Sequence, residues 1–100
     1  MKLFVLGQRD TVNGFKLAGV NGEIDTEISD IDARFNSLVN DKEYGVIFLS
    51  RRTADKLRAK VDEIKLNQPM PVIFEVEDDS SAAGGSKLLQ FIKESVGIKI

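Results

Sequence analysis

Runs of apolar residues alternate along the chain with amphipathic stretches. Lys2 to Leu6 carries Leu3-Phe4-Val5-Leu6 without a polar break, the pattern of a strand covered on both faces. Val12, Phe15 and Ala18 then recur at three-residue spacing, which predicts a short helix capped by Asp10 or Thr11 and stopped by Gly19. Glu23-Ile24-Asp25 is short and polar, as an edge strand is. Behind Ser29 or Asp30, the positions of Ile31, Phe35, Leu38 and Val39 fall at i, i+4, i+7 and i+8 and predict a second helix. Tyr44 to Ser50, with Val46-Ile47-Phe48-Leu49, is the strongest strand signal. Thr53 is expected to cap a third helix with Ala54, Leu57, Val61 and Ile64 on one face. Pro69 and Pro71 close that helix and open a fourth strand, Val72 to Val76. Past the stretch EDDSSAAGGS, a last helix is expected from Lys87 to about Ser95. Its Leu88, Leu89, Phe91, Ile92 and Val96 make an apolar surface wider than one stripe.

Strand-helix alternation of this kind predicts an α/β fold: a small four-stranded parallel sheet with helices on both faces, Rossmann-like or receiver-like. The chain reads as one domain in three parts. Residues 1–76 form the core, 77–86 a flexible joint of small residues, and 87–100 a C-terminal helix and tail free to move on that joint.

Composition narrows the chemistry. The chain has 100 residues, a formal charge of −2, no cysteine and no histidine. Disulfides and thiolate chemistry are excluded, and the commonest general base and metal ligand is missing. Six Phe, one Tyr and no Trp leave the core mostly aliphatic. The acidic balance argues against a general nucleic-acid binder. No apolar run approaches the ~20 residues of a membrane span, and the amino terminus lacks a signal-peptide layout, so a soluble intracellular domain is expected.

The glycine-rich stretch GQRDTVNGFKLAGVNG follows the first strand, a place where many folds cradle a phosphate. Its glycines at 7, 14, 19 and 22 match neither G-x-G-x-x-G nor G-x-x-x-x-G-K-[ST]. A tight turn, a glycine packed against a neighbour and a helix stop account for them better. A phosphorylation receiver requires a carboxylate at the end of its third strand, where this chain has Leu49-Ser50-Arg51-Arg52. The acidic clusters Glu23 to Asp32 and Glu75 to Asp79 lack the spacing of a calcium loop and read as exposed rims. The basic run Arg51 to Lys60 has no interleaved aromatics for stacking on bases. It reads as a solvated helix face or, through Arg51, Arg52 and Lys56, as a docking surface for an acidic protein partner. No cofactor, metal or catalytic group is expected. The surplus of large apolar residues in the last helix, with Ile98 and Ile100 beyond it, exceeds what so small a sheet shelters and points to a second polypeptide.

Gly7, Asp10-Thr11-Val12, Gly14-Phe15 and Leu17-Ala18-Gly19-Val20 together resemble the signature of the F-subunit of the V-type and archaeal A-type rotary ATPases. Pro71-Val72-Ile73-Phe74-Glu75 is similar to a second element of that family, and Val96-Gly97-Ile98-Lys99-Ile100 to its ending. The likeness spans the chain. It departs from the family at Gln8 and Arg9, where acidic residues are common, and at Glu77, where a proline often follows the fourth strand.

The resemblance implies a non-catalytic rotor part on the central stalk, bound to the helical hairpin of the D-subunit, within a complex that couples ATP turnover to ion movement. It implies a cytoplasmic position peripheral to the membrane, without insertion. On that reading Leu88, Leu89, Phe91, Ile92 and Val96 supply the interface, with Arg51, Arg52 and Lys56 as electrostatic contacts. Gly7, Asp10, Gly14, Phe15 and Gly19 form a structural turn motif. The alternative is a small-ligand-binding or signalling α/β domain that uses the C-terminal ends of its strands.

Overall fold

The computed structural model describes residues 2–77. The expected joint and last helix, with Leu88, Leu89, Phe91, Ile92 and Val96, lie outside the described residues. Strands β1 (Lys2–Gly7), β2 (Asn21–Ile24), β3 (Tyr44–Ser50) and β4 (Val72–Val76) form one all-parallel sheet in the order β2-β1-β3-β4. The helices between them are α1 (Arg9–Leu17), α2 (Ile31–Asn40), α3 (Arg51–Lys56) and α4 (Arg58–Asn67). The α/β alternation expected from the sequence is therefore present, with β3 and β4 at their expected bounds.

Side-chain alternation along the strands sorts the core into two layers. Phe4, Leu6, Ile47, Leu49 and Ile73 turn to one face, where Phe35 and Leu38 of α2, Ala54 of α3, and Val61 and Ile64 of α4 bury them. Val5, Val46, Phe48 and Val76 turn to the other, against Val12 and Phe15 of α1. The Phe15 and Phe48 rings lie 4.8 Å apart, and Phe48 stacks on Phe74 at 5.6 Å. Both faces of the two central strands are thus covered, which is why their sequences run apolar without alternating.

Three local expectations are corrected. The first helix starts at Arg9, with Gln8 before it, so Asp10 lies in its first turn and neither Asp10 nor Thr11 is the cap. The second strand begins earlier, at Asn21, and Asp25 leaves it to open a single 3₁₀ turn through Glu27. The third helix is two. Thr53 sits inside α3 with its hydroxyl turned to a distant carboxylate, and the chain breaks at Leu57 before α4. Leu57 is buried there, so packing holds the break. Asp30 does cap α2, its carboxylate accepting from the Ala33 amide at 3.0 Å.

Candidate functional site

Parallel α/β sheets bind ligands outside the carboxyl ends of adjacent strands whose connections leave for opposite faces. Here those strands are β1, followed by α1 on one face, and β3, followed by α3 on the other. Gly7 ends β1 and Ser50 ends β3, and Asp25 follows the end of neighbouring β2.

A chain of hydrogen bonds fills this crevice. Thr53 Oγ1 donates to Asp25 Oδ2 at 2.9 Å, and Lys56 Nζ donates to the same oxygen at 3.0 Å. With its one proton given to Asp25, Thr53 can only accept from Ser50 Oγ, 2.9 Å away. Ser50 in turn accepts from the Gln8 amide at 3.2 Å. Donation therefore runs one way, from the Gln8 N–H to Ser50, from Ser50 to Thr53 and from Thr53 to Asp25, which only accepts. Asp25, Ser50 and Thr53 are all buried, and burial without partners would cost each of them. Gly7 makes room for the chain, because a Cβ there would stand 2.6 Å from Ser50 Oγ. This is the glycine packed against a neighbour that the glycine-rich stretch suggested.

A second cluster ties α4 to β4. Arg58 grips Glu75 with both arms, Nη1 to Oε2 and Nη2 to Oε1, each at 2.8 Å. Its Nη2 also reaches Asp55 at 2.7 Å, and Lys65 adds a bond to Glu75 at 2.6 Å. The Arg58 guanidinium, then the Lys65 ammonium, hold the Glu75 carboxyl down at about 2, against a smaller upward push from burial. Glu75 and then Asp55 push Arg58 further above its ordinary range.

The residues proposed for electrostatic docking have internal partners. Lys56 is paired with Asp25, and Arg51 with Glu77 at 2.9 Å; Arg52 is exposed beside it. The turn-motif residues divide by role. Gly7 admits Ser50, Phe15 fills the core, and Gly19, at φ 85°, turns the chain after α1 in a conformation that suits glycine. Asp10 is exposed in the first turn of α1, and Gly14 faces open space. Two departures from the family pattern form ion pairs: Arg9 with Glu27 at 3.1 Å, and Glu77 with Arg51. Among the described residues no group of three or more His, Cys, Asp or Glu is placed to hold a metal ion. None of their helices is long and apolar enough to cross a membrane.

Sequence reasoning missed the buried network. It assigned Asp25 to a strand, Thr53 to a cap and Arg58 to a solvated face. The available signal was positional: Asp25 and Ser50 both fall at carboxyl ends of strands, where polar side chains converge in this topology.

Comparison with known proteins agrees with the resemblance. Residues 3–96 match the family of the ATP synthase (F/14-kDa) subunit. The chain is 32% identical to the A-type ATP synthase F-subunit of Thermococcus kodakarensis, over all of this chain and 98% of the relative. It is 29% identical to that of Pyrococcus abyssi over the same shares, and 29% identical to that of Methanothermobacter thermautotrophicus over 96% of this chain and 92% of the relative. By the whole length of its sequence, then, this chain belongs to the family of the ATP synthase (F/14-kDa) subunit, the F-subunits of rotary ATPases.

Proposed function

We propose that the chain is a non-catalytic part of the rotor, seated on the central stalk and attached to the helical hairpin of the D-subunit. It turns with the stalk and helps couple ATP hydrolysis or synthesis to ion translocation, on the cytoplasmic side and peripheral to the membrane. The observation that carries this reading is the state of the crevice between β1 and β3. Its hydroxyls and its carboxylate are bonded to one another, in a chain whose relatives are ATP synthase F-subunits. A rigid body with its polar groups spent internally suits a mechanical part. It suits a ligand-binding or signalling domain poorly, since a ligand there would first have to break the Ser50-Thr53-Asp25 chain.

Leu88, Leu89, Phe91, Ile92 and Val96 supply the attachment, with Arg51, Arg52 and Lys56 as electrostatic contacts. Arg51 and Lys56 contribute only as far as a partner competes with Glu77 and Asp25. Ile92→Asp should abolish co-purification with the co-expressed D-subunit while the isolated chain keeps its melting temperature. Undiminished co-purification would remove the last helix from the interface. Calorimetric titration with nucleotides separates the alternative: a micromolar isotherm would favour the ligand-binding reading.

A further inference from the structure

The sequence contains two Asn-Gly pairs, Asn13-Gly14 and Asn21-Gly22, and the fold treats them differently. Asparagine is thermolabile, and most so before glycine, whose backbone nitrogen no Cβ shields from the preceding side chain. Attack by that nitrogen requires a backbone free to bend towards the side chain. Asn13 lies within α1, where helical geometry commits the Gly14 amide to the carbonyl four residues back. Asn21 is exposed, opens β2, and closely follows the turn at Gly19, whose φ is 85°. The strand it opens is an edge strand paired with β1 alone, so alternate amides along it have no ladder partner.

Packing dictates the glycine of this pair. A Cβ at position 22 would collide with Val5 Cγ1 and stand 2.8 Å from the Val5 carbonyl oxygen. A larger residue, which would slow the attack, is therefore excluded there. The same closeness leaves β2 no slack against β1. Their register sets Phe4 beside Asn21, Val5 beside Gly22, Leu6 beside Glu23 and Gly7 beside Ile24. Asp25 comes next, and its carboxylate accepts from Thr53 at 2.9 Å and from Lys56 at 3.0 Å. A change in the main chain at residue 21 is thus passed along the strand to the crevice.

We propose that Asn21-Gly22 is a site of spontaneous modification whose isoaspartyl product unseats β2 and, with it, the Asp25 carboxylate. The Gly22 nitrogen attacks Asn21 Cγ, and the new N–Cγ bond closes a succinimide ring as the Cγ–Nδ2 bond breaks. The side-chain nitrogen leaves as ammonia, taking the Gly22 proton. Water then opens the ring, adding its hydroxyl to a carbonyl carbon and returning a proton to the Gly22 nitrogen. Opening at Cγ leaves an aspartate on an unaltered main chain. Opening at the main-chain carbonyl leaves Gly22 bonded to Cγ, so the chain now runs through Cβ and Cγ and the old carbonyl is a free carboxylate. The longer chain cannot hold Phe4 beside Asn21 and Leu6 beside Glu23 together, because Val5 blocks any shift of Gly22 inward. Asp25 is then drawn away from Thr53 and Lys56. The inference concerns the sheet itself and is independent of the attachment through Ile92.

The test is incubation of the purified full chain at neutral pH for weeks, in buffer and in urea, followed by trypsin and mass spectrometry. Cleavage after Arg9, Lys16 and Arg34 places the two pairs on separate peptides, 10–16 and 17–34. In buffer, peptide 17–34 should convert severalfold faster than 10–16. Part of it should be isoaspartate, detected by enzymatic methylation of the free carboxylate with S-adenosylmethionine. In urea the two rates should converge, because the protection given by α1 is lost. The isoaspartyl fraction, separated by ion exchange, should melt below Asn21→Asp, which carries the same added charge on an unaltered main chain. Asn21→Gln, which slows ring closure, should keep its melting temperature through the same incubation. Equal conversion of the two peptides in buffer, or none at 17–34, would overturn the proposal. So would an isoaspartyl fraction as stable as Asn21→Asp, or an Asn21→Gln chain that loses stability at the wild-type rate.

Discussion

Gly7 and Ser50 meet at the ends of β1 and β3 so closely that a Cβ on residue 7 would stand 2.6 Å from the serine hydroxyl and 2.7 Å from its Cβ. Neither strand can shift to relieve this without disturbing the ladder around Leu6 and Leu49. Gly7→Ala should therefore cost about 1 to 3 kcal/mol, the usual penalty for overpacking. Gly14→Ala provides the opposite case in the same stretch. A Cβ there meets nothing within 4 Å, and the helix interior prefers alanine. It should stabilise by about 0.5 to 1 kcal/mol. Urea denaturation of both variants checks the pair; equal effects would contradict the packing.

The one-way order of hydroxyls makes Thr53 the pivot of the crevice. Thr53→Val keeps the shape but leaves Ser50 without its acceptor and removes one donor from Asp25. The expected loss is about 1 to 3 kcal/mol, the cost of stranding buried polar groups. Ser50→Ala should cost less in the Thr53→Val background than in the wild type, because its bond is already broken there. A double-mutant cycle should show coupling of about 0.5 kcal/mol or more. Strict additivity would mean that the two hydroxyls do not act as one chain.

Glu75 carries a pH dependence whose sign follows from its partners. Its carboxyl titrates at about 2 in the folded protein, well below the ordinary 4.5, because Arg58 and then Lys65 bond the charged form. A lowered carboxylate pKa gives stability that is present above about pH 4.5 and lost as pH falls towards 2. Allowing for solvent screening around Arg58, the amount is about 1 kcal/mol. Glu75→Gln should be less stable than the wild type by a constant margin above about pH 5, and the margin should close between pH 4.5 and 2. Thermal melts across that range measure it. A margin independent of pH would show that Glu75 acts through packing alone.

What the sequence disclosed and what it withheld divide along the distance between partners. Val46-Ile47-Phe48-Leu49 and Val72 to Val76 announce buried strands by their own composition, and both strands lie where expected. Asp30 was legible as a cap because its partner, Ala33, is three residues away. Thr53 has a cap's chemistry too, but its hydroxyl serves Asp25, 28 positions earlier, and only the folded sheet brings them together. Arg58 and Glu75, 17 positions apart, are a second case. Within the basic run, the count of cations was plain, whereas their internal pairing was not. A tertiary partner overrides a local signal whenever it satisfies a buried group better than solvent does.

Phe15 gives the sharpest test of the two-layer arrangement. Among the described residues α1 is the one helix packed on its face of the sheet, and it has nine residues, fewer than the ~12 to 15 that stand alone in water. It persists because Val12 and Phe15 are buried against Val5, Phe48 and their neighbours. Phe15→Ala should cost about 3 to 5 kcal/mol, much of the roughly 5 to 15 kcal/mol available to a typical domain. The loss should also be local at first. Amide hydrogens of α1 should exchange well before those of β3, whose other face keeps Phe35 and Leu38. Phe35→Ala, on the opposite layer, should lower global stability by a similar amount without releasing α1 first. If α1 in Phe15→Ala stays protected to the level of global unfolding, the helix is held by something other than its aromatic anchor.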